Sequence, residues 1–158
     1  MTPAINAVKK KKIPHTVHQY VHQPGSDSYG KEAAEKLGID EHRVFKTLVI
    51  QLDDGNLVVA IIPVSSMLSM KLIAKARSAK KAVMAEKNLV QKATGYVLGG
   101  VSPLGQKKRI PAVIDVTARN FPTIFVSGGR RGLDIELSPS DLAVLTSATF
   151  SEICQEST

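Results

Sequence analysis

Apolar residues alternate with polar ones in some stretches of the chain and recur at helical spacing in others. Ile5, Val8 and Ile13 form a helical stripe behind Thr2-Pro3, a pair suited to a helix cap and first turn, so a helix is predicted to about Lys12. His15–Val21 is β-branched and alternating, as in a strand. A loop over residues 22–29 leads to a helix over Lys31–Leu37, closed by Gly38. Val44–Leu52 and Leu57–Pro63, joined by Asp53-Asp-Gly-Asn56, predict a hairpin. Ser69 caps a helix to about Arg77, a short strand covers Ala82–Met84, and a helix runs from Glu86 to Thr94. Ala112–Val116, Thr123–Val126 and Leu133–Leu137 follow as strands. Ser138-Pro139 starts a last helix through about Leu145, and Phe150–Ile153 is a closing strand. Helices and strands are interspersed without a regular βαβ repeat. The expected class is α+β with a mixed sheet, not a doubly wound nucleotide-binding fold.

The 158 residues suit one domain over 1–158, and 43% hydrophobic content is enough for a real core. No run of eighteen apolar residues is present, so no membrane span is expected. Met1-Thr-Pro-Ala-Ile lacks the apolar centre of a signal peptide, and the single cysteine, Cys154, can make no internal disulfide. A cytosolic protein is the simplest reading.

Charge adds to this picture. The net charge is +7, with basic clusters at Lys9–Lys12, Lys71–Lys81, Lys107–Arg109 and Arg130–Arg131. Such a balance favours polyanions, nucleic acid above all, although solvated basic faces account for the charge alone equally well. Four phenylalanines, three tyrosines and no tryptophan make a base-stacking platform poorly supported, so phosphate contacts would dominate any RNA binding.

Few residues point to chemistry. His15, His18 and His22 resemble a metal set, but in a strand His18 and His22 share a face with Tyr20 while His15 points the other way, and His42 follows a helix. No second cysteine is available for zinc, so these histidines read as structural and no metal or cofactor is expected. Cys154, near the end of the chain, reads as an incidental thiol. No Gly-x-Ser-x-Gly elbow or P-loop is present. Lys46 stands out, because alternation places it in one row with Val44, Leu48 and Ile50. A lysine in an apolar row either snorkels to water or serves a site. Thr94–Arg109 holds four glycines, three of them (Gly95, Gly99 and Gly100) ahead of Ser102-Pro103 and the cations Lys107, Lys108 and Arg109: backbone that can approach a ligand, a rigid turn, then anchors for phosphate. Ser127-Gly-Gly-Arg-Arg-Gly-Leu-Asp134 reads as a second glycine-rich turn, with Arg130 and Arg131 facing outward.

Together these residues resemble the YbaK-type Cys-tRNA(Pro) deacylases, within the wider family that includes the editing domain inserted in bacterial prolyl-tRNA synthetases. The resemblance covers essentially the whole chain: Met1-Thr-Pro-Ala-Ile, Glu32–Gly38, Phe45-Lys-Thr-Leu48, Thr94–Arg109 and Val126–Leu137. It implies a mixed, mostly antiparallel sheet curled towards a barrel with flanking helices. The implied activity is hydrolysis of the ester of Cys-tRNA(Pro), with Cys-tRNA(Cys) as a looser substrate. Lys46 would occupy the essential lysine position, and Gly99 would open the loop that holds the aminoacyl carbonyl, continued by Gly100, Val101, Ser102 and Pro103. Tyr20, Tyr29, Gly30, Thr47, Ser127, Gly128 and Asp134 match positions lining the pocket. In this branch the substrate's own thiol is the attacking group, which fits a chain without a convincing nucleophile. The partners implied are aminoacyl-tRNA, gripped through Lys107–Arg109 and Arg130–Arg131, and prolyl-tRNA synthetase. Two rival readings are a deacylase for alanine or another small amino acid, and a basic RNA-binding module without catalysis.

Overall fold

The apolar runs close around three cores, and a computed structural model describes the result over residues 1–25 and 29–156, without the side chain of Tyr29. Helix α1 (Pro3–Lys10) starts where Thr2 Oγ1 accepts the Ile5 N–H at 3.3 Å, and it buries Ala4, Ile5 and Val8. Strand β1 (Thr16–Gln19) is shorter than the predicted His15–Val21, because its partner strand runs into a turn at Arg131–Gly132. Helix α2 (Tyr29–Leu37) begins two residues before the predicted Lys31; residues 26–28 of the loop expected before it lie outside the described residues.

The hairpin forms as predicted from β2 (Phe45–Leu52) and β3 (Leu57–Pro63). Helix α3 (Met70–Ala76) is capped by the Ser69 hydroxyl, β4 spans Ala82–Met84, and α4 (Lys87–Thr94) stops at Gly95. Strands β5 (Ala112–Asp115), β6 (Ile124–Arg130) and β7 (Leu133–Leu137) follow. Helix α5 (Pro139–Thr146) is capped by Ser138, and β8 (Thr149–Ser151) ends the series.

These strands form two sheets. One is antiparallel with order β1-β7-β6; the other has order β4-β2-β3-β5-β8, antiparallel over its first three strands and parallel over β3-β5-β8. The α+β class and mostly antiparallel pairing are as expected. The curl takes the form of two sheets over a shared core, with no closed barrel. That core joins Phe45, Val49, Val59, Ile61 and Ile114 of the larger sheet to Ile124, Val126, Leu133, Ile135 and Leu137 of the smaller. A second core lies on the other face of the larger sheet, under Ile73 of α3, and a third holds Ala33 and Ala34 of α2 against Val44, Val64 and Phe125.

One correction concerns Ser127–Asp134. Gly128 and Gly129 do not form the turn, which is left to Arg131 and Gly132; β6 continues through the two glycines to Arg130, with a register irregularity between Ser127 and Arg130. Such a bulge bends a strand and re-aims its side chains: Arg130 remains exposed, as expected, and with the half-buried Arg131 also lines a cavity.

The two sheets meet at a single parallel bridge, Val44 to Phe125, and separate beyond it. The outer edge of β2 is next paired only at Ile50–Leu52, by the three-residue β4. Residues 46–48 lie in the gap between. Val49 C=O, which accepts the Ala85 N–H at 3.0 Å, points out of that edge, so strand periodicity directs the peptide N–H and C=O of Thr47 out of it too.

A buried carboxylate ties the C-terminal segment to this frame. Asp115, 1% exposed, accepts the Thr117 N–H and hydroxyl on one oxygen and the Ile153 N–H at 3.0 Å on the other. Asp115→Ala strands buried donors, each costing about 1–3 kcal/mol. The expected loss is about 2–4 kcal/mol, read as a lower urea midpoint, with proteolysis beginning after Asp115.

Candidate active site

A cavity of about 320 Å³ fills the gap where the sheets part. Its walls come from β2 (Val44 to Leu48), the start of α2 (Gly30 and Ala33), Val64, Tyr20 after β1, Ser127 and Arg130 of β6, Arg131, Asp134 of β7, and Leu98, Gly99 and Val101 after α4. Lys46 and Gly99 therefore face one chamber, although more than fifty residues separate them in sequence.

Gly99 is where it is because of a turn. The Gly100 N–H donates to Val97 C=O at 3.0 Å, which closes a four-residue turn with Gly99 third at φ +95°. That position in a type II turn requires positive φ and takes glycine. Gly100 packs behind it, since a Cβ there would sit 2.9 Å from the Arg130 Cα. The loop and the β6 bulge thus touch backbone to backbone. Among the described residues, the peptide N–H groups of Gly99 and Val101 have no protein acceptor.

Lys46 is half-buried and makes no ion pair with a carboxylate among the described residues. Burial holds its pKa below the ordinary lysine value; the nearby charge of Lys31 adds to this and Cys154 opposes it. Asp134, 6% exposed, shifts the other way: burial pushes its carboxyl up to about 7, opposed only in part by His18. Thr47 Oγ1 is buried without a hydrogen-bond partner, a cost that a bound ligand could remove. Ser127 Oγ accepts the Gly129 N–H at 3.1 Å.

At the rim, His22 Nδ1 meets the buried Glu32 at 2.6 Å and its Nε2 meets the Arg131 guanidinium. Guanidinium can only donate, so Nε2 accepts and Nδ1 carries the proton to Glu32. Burial disfavours the charge of Glu32, but the His22 ring and the Gln23 N–H outweigh it and hold that pKa below the usual range.

Tyr20, Gly30, Lys46, Thr47, Gly99, Val101, Ser127, Arg130, Arg131 and Asp134 come together here. Other residues expected in the site do not. Gly100 and Gly128 are spacers, the latter against Leu133. Ser102 is fully buried, its Oγ accepting the Leu104 N–H at 3.2 Å, so it braces the loop and does not face the chamber. Pro103, Lys107, Lys108 and Arg109 line a different groove. Tyr29's side chain lies outside the described residues. The apolar wall of Val44, Phe45, Leu48 and Val64 was missed, since each reads as plain core in a hydrophobic run. The Glu32–His22–Arg131 chain was also missed, for no local spacing announces it. His18 meets Glu136 at 2.9 Å. Cys154 is outside the chamber lining, and burial, reinforced by Asp115, pushes its thiol up to about 12, where it is no nucleophile.

A mixed α+β frame holds a half-buried lysine, a glycine turn and a protonatable carboxyl around one small chamber, groups suited to stabilising charge on an acyl or phosphate ester. Likeness to known proteins narrows this. The profile of the aminoacyl-tRNA editing domain matches residues 23–145, and the chain belongs to that family. A protein of Enterococcus faecalis, EbsC, provisionally named a Cys-tRNA(Pro)/Cys-tRNA(Cys) deacylase, is 38% identical over 152 residues, covering 96% of this chain and 92% of its own. YwhH of Bacillus subtilis, uncharacterized, is 28% identical over 127 residues, 80% of each chain. A crystal structure provisionally described as a trans-editing enzyme for prolyl-tRNA synthetase superposes with TM-score 0.82 at 22% identity over 99% of both chains, a likeness of fold. Among the described residues, no helix is long and apolar enough to cross a membrane.

The Asp134 shift has a measurable consequence. Its folded pKa lies above its unfolded one, so between about pH 4 and 7 the folded state binds more protons and stability falls as pH rises. Asp134→Asn removes that slope, at most about 1.4 kcal/mol per pH unit. Unfolding curves at pH 5 and pH 8 should show the variant gaining on the wild type at pH 8.

Proposed function

We propose that the chain acts over 1–158 as one trans-editing aminoacyl-tRNA deacylase, cleaving the ester of cysteine mischarged on proline tRNA and, more loosely, Cys-tRNA(Cys). The observation that carries this reading is the shared chamber: Lys46, unpaired with any carboxylate among the described residues, faces the Gly99 turn and Asp134 across a space at the low end of small-ligand pockets, about 300–1,000 Å³. The likeness to EbsC supports the choice of substrate.

The chemistry follows from what the chamber holds. The substrate thiol gives its proton to ionised Asp134, whose value of about 7 suits a base near neutral pH. Sulfur attacks the ester carbonyl, the bond to the terminal ribose oxygen breaks, and that oxygen leaves with the proton from Asp134. The products are uncharged tRNA and a strained cyclic thioester, which water opens to cysteine. The free N–H groups of Gly99 and Val101 face the growing oxyanion, where one such donor is worth about 3–4 kcal/mol; Gly100 N–H, spent on the turn, is not among them. Lys46 adds its positive charge at the carbonyl or the ribose-phosphate end. Holding sulfur beside carbon lowers the barrier by about 7–11 kcal/mol.

Selectivity follows from the same scheme. Proline has no thiol, and a serine hydroxyl is a far poorer nucleophile at neutral pH. Pocket size alone would discriminate by a factor of only about 10–200. Arg130 and Arg131 at the rim suit the terminal phosphates, and prolyl-tRNA synthetase is the partner that would supply the choice of tRNA.

A deacylation assay with proline tRNA carrying cysteine, serine or alanine tests this. Cysteine should leave fastest, with serine slower by at least about 100-fold; equal rates for the two would remove thiol assistance, and faster alanine release would favour the alanine branch. Lys46→Ala should lower turnover of Cys-tRNA(Pro) by about 100-fold or more with an unchanged circular dichroism spectrum. Near-normal turnover would take Lys46 out of the mechanism.

A further inference from the structure

A second and larger groove, about 630 Å³, lies apart from the chamber. Its rim carries five cations: Lys10 and Lys11 from the end of α1, and Lys107, Lys108 and Arg109 from the loop before β5. None of its lining residues is acidic or aromatic. Its floor is apolar, built from Ile13, Val59, Ile110 and Leu145.

Helix chemistry explains where each of these charges sits, but not why they converge on one groove. Lys10 complements the negative end of the α1 dipole. The loop cations sit at two other helix ends: Lys107 N–H donates to Thr94 C=O at 3.0 Å and Lys108 N–H to Ala93 C=O at 2.9 Å, the last carbonyls of α4, and the Arg109 guanidinium donates to Ser147 Oγ at 3.0 Å, the cap of α5, so three helix C-termini gather their cations around one groove. Like charges gathered from two distant segments, without acids among them, repel one another and so favour a polyanion.

The groove's place relative to the chamber points to which polyanion. Thr2, at the other end of α1, donates to the Gly128 carbonyl beside Ser127 of the chamber. Eight residues of helix separate Thr2 from Lys10, about 12 Å at 1.5 Å per residue. A stacked strand carries one phosphate about every 3.4 Å, so this span equals three to four nucleotides. With its 3′ end in the chamber, a tRNA would pass its single-stranded tail across α1 and bring the first base pairs of the acceptor duplex to the groove. Double-stranded RNA is recognised through phosphates and ribose across a wide, shallow groove, without stacking, which suits cations around a non-aromatic floor.

We propose that the groove is a docking site for the acceptor duplex of the tRNA, with Lys10, Lys11, Lys107 and Lys108 as its phosphate contacts. This rests on the deacylase reading for the identity of the RNA. The site is separate from the chamber, sets affinity and takes no part in ester cleavage.

The test uses Lys10→Gln/Lys11→Gln and the fourfold variant that adds Lys107→Gln and Lys108→Gln. Binding of uncharged proline tRNA is followed by fluorescence anisotropy across a salt series, which needs no catalysis. Turnover is measured on Cys-tRNA(Pro) and on cysteine esterified to a CCA trinucleotide. The fourfold variant should bind tRNA about tenfold or more weakly at moderate salt, with a salt slope reduced by about 0.7–0.9 for each phosphate no longer neutralised. KM for Cys-tRNA(Pro) should rise with kcat unchanged, while the trinucleotide ester, too short to reach the groove, is turned over as by the wild type. Unchanged affinity for tRNA overturns the proposal. So does an equal loss on the trinucleotide ester, which would merge groove and chamber. A defect seen only when prolyl-tRNA synthetase is added would make the groove a protein-docking surface and overturn the RNA assignment. Failure of the deacylase reading would show separately, as no ester release from either substrate by the wild-type protein.

Discussion

A β-strand inside a protein must find partners for the peptide groups on both of its edges, and β2 finds them on its outer edge in two pieces. The Val44–Phe125 bridge serves its beginning, and β4 serves its end. Between them the strand has no neighbour, because β6 turns away with the smaller sheet. The chamber exists because of that gap. The peptide of Thr47 has no strand opposite it, and Lys46, Thr47 and Leu48 line a space shared with Ser127, Arg130 and the Gly99 turn. The shared core beneath keeps the two sheets at this splay, with Phe45 and Val49 packed in the same cluster as Val126 and Ile135.

Removal from water pushes Lys46 and Asp134 in opposite directions. Burial makes the lysine readier to give up its proton and the carboxyl readier to keep one. The two groups thus move towards each other on the pH scale. A site built this way needs no side-chain nucleophile of its own, and the thiol of Cys154, held neutral by its surroundings, offers none.

Most of the architecture was legible from spacing because it is local. Caps at Thr2, Ser69 and Ser138 and the Asp53–Asn56 turn announce their elements within a few residues. What spacing missed is long-range. Residues 127–134 read as a turn because two glycines and two arginines follow a short apolar run; pairing with β7 carries the strand as far as Arg130 with a bulge. Ser102 and Pro103 read as site residues because they adjoin Gly99, but the chain dives into the core after Val101, so neighbours in sequence part company in space. The loop cations likewise continue the glycine segment yet end on another groove. Lys46 could be singled out because an ammonium in an apolar row costs free energy whatever lies nearby, whereas Glu32, His22 and Arg131 each look ordinary until folding joins them.

Backbone contact between Gly100 and Arg130 leaves no room for a side chain at position 100, so the close approach of the loop to β6 is fixed there. The opposite side is aliphatic, made of Val44, Leu48 and Val64, where a smaller side chain would enlarge the chamber without touching a polar group. Descent with modification from such a scaffold would diversify the amino acid it accepts along one wall only, while the apparatus that breaks the ester stays as inherited.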